Sequence, residues 1–100
     1  MRNVDDGWSL SFVMMMEALE AEGTTPELTE IRNLASRLQR RASHDFTKTL
    51  ENHMQTFLYI THHASNISSR IKIAVERYIT SSPYLLVKAN ECRIGPNIVP

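Results

Sequence analysis

The sequence predicts an all-α fold, a compact bundle of four main helices with a short fifth helix or an extended C-terminal tail. Three observations carry this. Apolar residues recur at helical spacing in four successive segments. Three Gly and four Pro in 100 residues leave room for long uninterrupted elements. Two Ser/Thr-Pro steps, Thr25-Pro26 and Ser82-Pro83, read as helix starts.

Helix 1 is expected over about Asp6–Glu22. Asp5 or Asp6 caps it, since a carboxylate accepts from free first-turn N–H groups and suits the positive end of the dipole. Gly23 ends it by supplying a left-handed residue after the last turn. Trp8, Phe12, Met15, Met16 and Leu19 recur at helical spacing. At about 100° per residue, the run Phe12–Met16 touches every side of the helix. Helix 1 is therefore expected to be buried on more than one face, or to face a partner.

Helix 2 has the clearest start. Thr25 is the expected N-cap and Pro26 takes the first helical position, where its missing N–H costs nothing. Leu28, Ile31, Ala35, Leu38 and Ala42 step by three and four, with Leu34 widening the seam. Arg32, Arg37, Arg40 and Arg41 lie opposite.

Helix 3 is expected from about Asp45 to His63, with Asp45 as N-cap and Phe46, Leu50, Met54, Phe57, Leu58 and Thr61 as its inner face. No Gly or Pro enforces a break after helix 2, but one helix of nearly 40 residues does not suit a compact small domain. Helix 4 is expected over about Ile67–Thr80, capped by Ser65 or Asn66. Ile67, Ile71, Ala74, Val75 and Tyr78 face inward; Arg70, Lys72, Glu76 and Arg77 face water. Ser82 and Pro83 open a short fifth helix stopped by Gly95 and Pro96, although Tyr84–Val87 also suits extended chain. Residues 1–95 are read as one helical domain and 96–100 as a tail.

The 42% hydrophobic and 22% charged content is that of a folded globule and not of a disordered chain. The longest apolar run is five residues, against about 20 for a bilayer span, so no membrane role is expected. The acidic amino terminus lacks a secretory signal, and the single Cys92 cannot make an internal disulfide. A cytoplasmic setting follows, in which the Asn66-Ile67-Ser68 sequon is a coincidence. Residues 1–30 carry one basic and seven acidic side chains, net −6; residues 31–100 carry ten and four, net +6. This asymmetry marks either one end of the chain packing beside the other or a partner surface.

Catalytic and cofactor motifs are missing. Three scattered Gly make no phosphate loop, and one Cys makes no structural zinc site. His44, His53 and His62 are nine apart, which puts neighbours on opposite helix faces. Cys92 near a helix C-terminus has its thiol made less acidic. The chain is thus expected to be a non-enzymatic protein-interaction module, such as an adaptor, a chaperone-like partner or a small inhibitor. It is expected to work without metal or cofactor. Trp8, Phe12, Met15, Met16 and Leu19 are the expected partner contacts, because Met is over-used at adaptable surfaces and Trp at interface hot spots. Arg32, Arg37, Arg40 and Arg41 form a charged rim. The alternative is a small dimeric DNA- or RNA-binding regulator using those arginines against phosphates, which zero net charge weighs against. The helix 2 seam also suits a homodimer.

Overall fold

The computed structural model describes the backbone of residues 6–41 and 48–93, and the side chains of 8–40 and 48–92. Five helices follow one another: α1 (Asp6–Glu22), α2 (Pro26–Arg41), α3 (Lys48–His63), α4 (Ser69–Thr80) and α5 (Pro83–Arg93). The fold is all-α, with no strand among the described residues. The stretch 83–93 is a full helix and takes its own share of the core, so the bundle has five members among the described residues.

Local chemistry fixes most of the boundaries. Gly23 takes φ +121°, a conformation that a side chain disfavours, and its N–H bonds the Glu20 carbonyl to close α1. Thr25 Oγ1 accepts from the Leu28 N–H at 3.2 Å, with Pro26 next in line. Ser82 Oγ does the same for Leu85, again followed by Pro83. The start of α4 differs from expectation. Its N-cap is Ser68, whose Oγ accepts from the Ile71 N–H at 3.3 Å, and not Ser65 or Asn66. Ile67 therefore precedes the helix and is buried from the loop side. Asn66 instead donates to Glu27 Oε1 at 3.3 Å, tying the α3–α4 loop to the start of α2.

Packing then follows from the apolar stripes. α2 lies along α3, α1 along α4 and more lightly on α2, and α5 against α3 and α4. Because α2 and α3 lie side by side, they are two helices and not one continuous rod. Met15 and Leu19 of α1, Ile31, Ala35 and Leu38 of α2, Met54 and Phe57 of α3, Ile71, Val75 and Tyr78 of α4, and Leu85 and Ala89 of α5 are fully buried in one core. Each such large side chain contributes roughly 1.5–3 kcal/mol by leaving water. Tyr78 sits at the centre: its ring is 5.9 Å from that of Phe12 and 6.5 Å, edge-on, from that of Phe57.

The expected caps Asp5 and Asp45, the seam residue Ala42, the break at Ser43-His44, Phe46, the stop at Gly95-Pro96 and the 96–100 tail lie outside the described residues. No described helix is long and apolar enough to cross a membrane.

Candidate protein-docking site

The apolar run of α1 divides between two sides of the helix. Met15, Ala18 and Leu19 point into the core, and Trp8, Phe12 and Met16 pack half-buried against it. Leu10, Val13 and Met14 point outward and are 60%, 48% and 52% exposed. Steps of three and four place Leu10, Val13, Met14 and Glu17 on one stripe. Of the five expected contacts, Met15 and Leu19 are thus fully buried in the chain's own core, and Trp8, Phe12 and Met16 are half-buried.

Across from this stripe lies α4. Arg70, Ile73 and Arg77 repeat at the same spacing, and Ile73 is 52% exposed. Between α1 and α4 runs an open groove of about 610 Å³. Buried Met15 and Ala18 with half-buried Ala74 form its base, and Met14 and Ile73 form its lips. Glu17 stands on the α1 rim, and Arg70 and Arg77 stand on the α4 rim. All three are exposed, and none has a side-chain hydrogen bond or ion pair among the described residues. The acidic first helix thus lies beside the basic fourth, as the charge asymmetry allowed, without these three charges pairing among the described residues.

Val87 of α5 is exposed as well, and the two exposed tyrosines have partners on their own helices. Tyr59 stacks on the His63 ring at 4.3 Å between centroids. Tyr84 lies under the Lys88 ammonium, 5.9 Å from its ring centre.

The helix 2 arginines do not act as one group. Arg32 donates to the Gly23 carbonyl at 3.0 Å and to Thr29 Oγ1 at 3.3 Å, clamping the α1–α2 turn. Arg37 and Arg40 are exposed without a side-chain partner among the described residues. The side chain of Arg41 lies outside the described residues.

Histidine chemistry is local. His62 Nδ1 lies 2.8 Å from the Leu58 carbonyl, and its Nε2 is 3.6 Å from Glu76. His63 Nδ1 meets the Tyr59 carbonyl at 3.0 Å. Among the described residues no three His, Cys, Asp or Glu side chains converge as a metal site. Burial, then the carboxylates of Glu51 and Glu91, push the Cys92 thiol above its ordinary range against the opposing pull of Lys88.

Ile73 and the Leu10–Val13 stripe were not among the expected contacts. A signal for Ile73 existed: it is the one large apolar residue among Arg70, Lys72, Glu76 and Arg77 on the face assigned to water. Comparison with known protein families, with curated proteins and with solved structures returns no match.

Proposed function

We propose that this chain is a non-enzymatic protein-interaction module that docks through the α1–α4 groove. One observation supports this above others. Met14 and Ile73 stand exposed on the two lips of one groove with an apolar base, rimmed by Glu17, Arg70 and Arg77 that have no partner among the described residues, and Leu10 and Val13 continue the exposed stripe of α1 beside it. A contiguous apolar surface with a polar rim is the usual form of a docking site. Met14 adds a side chain that adapts to a partner's contours. The helix 1 role foreseen in the sequence is kept, but it passes to the opposite stripe of that helix.

The test is affinity capture from native lysate of the source cells, with and without nuclease, comparing the wild type with a Met14→Lys plus Ile73→Lys variant. A stoichiometric protein that survives nuclease and is lost with the variant supports the reading. Identical recovery by both forms overturns it. Recovery that collapses with nuclease transfers the role to nucleic acid and to Arg37 and Arg40, the described arginines of α2 whose side chains stay free.

A further inference from the structure

We infer that the partner of the α1–α4 groove is a second copy of this chain, bound about a two-fold axis that runs along the groove. The inference rests on the docking reading above and names its occupant. It comes from charge. The groove carries on one wall the carboxylate of Glu17 of α1 and on the other the guanidinium groups of Arg70 and Arg77 of α4, none of them paired among the described residues. A surface with acid on one side and base on the other is complementary to itself. A two-fold axis between the helices lays α1 of each copy over α4 of the other. Each Glu17 then faces the arginine row of its mate, twice in one interface.

The positions along the helices agree. Met14 lies near the middle of the groove stretch of α1, and Ile73 lies midway between Arg70 and Arg77 on α4. Whichever way α4 runs relative to α1, an arginine stands at the end of α4 that Glu17 reaches. Met14 of each copy then lies over Ile73 of the other, one exposed apolar lip against another. Self-complementary patches joined by a two-fold axis are the commonest route to a soluble oligomer. Opposite charges in the rim set the register, and like charges there disfavour other registers.

The experiment uses the purified full chain in sedimentation velocity across a concentration series, at low and high salt. The wild type is expected to dimerise, more weakly as salt rises. Glu17→Lys alone, and Arg70→Glu with Arg77→Glu, are each expected to weaken self-association at least tenfold, because each places like charges opposite one another. Mixing these two variants restores the dimer as a one-to-one heterodimer, in which both pairings are opposite in sign again. All three positions are exposed, so the variants keep the wild-type circular dichroism; Met14→Glu is a fourth, independent form expected to be monomeric. Three results overturn the inference: a wild type that stays monomeric at its highest soluble concentration, a dimer indifferent to these changes, or a mixture that fails to recover. A monomeric wild type that still captures a nuclease-resistant protein through Met14 and Ile73 rejects the second copy while the docking reading stands.

Discussion

The Tyr78 hydroxyl donates to Gln39 Oε1 at 2.9 Å, joining α4 to α2, two helices whose backbones do not otherwise approach. The ring of Tyr78 is fully buried, so its polar end reaches across the core to a half-buried acceptor on the far helix. The buried Trp8 indole N–H lies near the same hydroxyl without completing a hydrogen bond. Tyr78→Phe keeps the shape and removes this link. It is expected to cost about 1 kcal/mol in urea unfolding, since Gln39 can turn to water. Tyr78→Ala is expected to cost about 3–5 kcal/mol through the cavity it leaves. A Phe variant as stable as the wild type would show that the bond to Gln39 contributes nothing net.

Alkaline pH acts on the same residue. Burial holds the Tyr78 phenol far above its ordinary value of 10.0, with the neighbouring Trp8 N–H opposing the rise. The folded state therefore keeps this proton where the unfolded chain releases it. The associated stability is fully present below pH 10.0 and is lost as pH rises from there towards the folded-state value. Melting temperatures measured between neutral pH and strong alkali are expected to fall above that point, and less steeply in Tyr78→Phe. Equal slopes in the two proteins would contradict this.

Gly23→Ala tests the end of α1. Nothing lies within 4 Å of an added Cβ, so the penalty is that of the backbone alone, at φ +121°. About 1–2 kcal/mol is expected from thermal or urea melts. Ser82→Ala removes the Oγ that holds the Leu85 N–H and is expected to cost about 1 kcal/mol. A Gly23→Ala protein of unchanged stability would mean that the turn readily adopts another conformation.

Cys92 is 6% exposed, its thiol is raised, and its Sγ faces the Glu51 carbonyl at 4.0 Å. Labelling by a disulfide reagent at neutral pH is expected to be far slower than for a free thiol and to become fast in denaturant. Rapid labelling of the native chain would show that α5 opens readily from α3.

The sequence located every described helix, because side-chain chemistry marks where they begin and end. Thr25-Pro26, Ser82-Pro83 and Gly23 each carry one strong signal, and the structure uses all three. The start of α4 was misplaced because Ser65, Asn66, Ser68 and Ser69 are all competent caps, and only the bond from the Ile71 N–H selects among them. The candidate site was half legible. The sequence singled out α1, but Met14 and Met15 are chemically identical and differ only by about 100° of rotation around the helix. Which of them faces the core is decided by α4, more than fifty residues away in the chain, and no local pattern in α1 encodes it. Arg32 was grouped with the surface arginines because its spacing fits them. Its actual partner, the Gly23 carbonyl, becomes available only once the turn has formed.

The pairing of α1 with α4 has a consequence for the order in which the protein is made. α1 leaves the ribosome before α4, and the surface that covers its core-facing side is not complete until Thr80 has emerged. At usual synthesis rates of about 5–20 residues per second, roughly sixty further residues take about 3–12 s. Throughout that interval α1 presents Met15, Ala18 and Leu19 as well as Leu10, Val13 and Met14 to its surroundings. Until α4 follows, α1 thus exposes both of its apolar sides, and α2, which makes the lesser contact with α1, is the first shelter available to it.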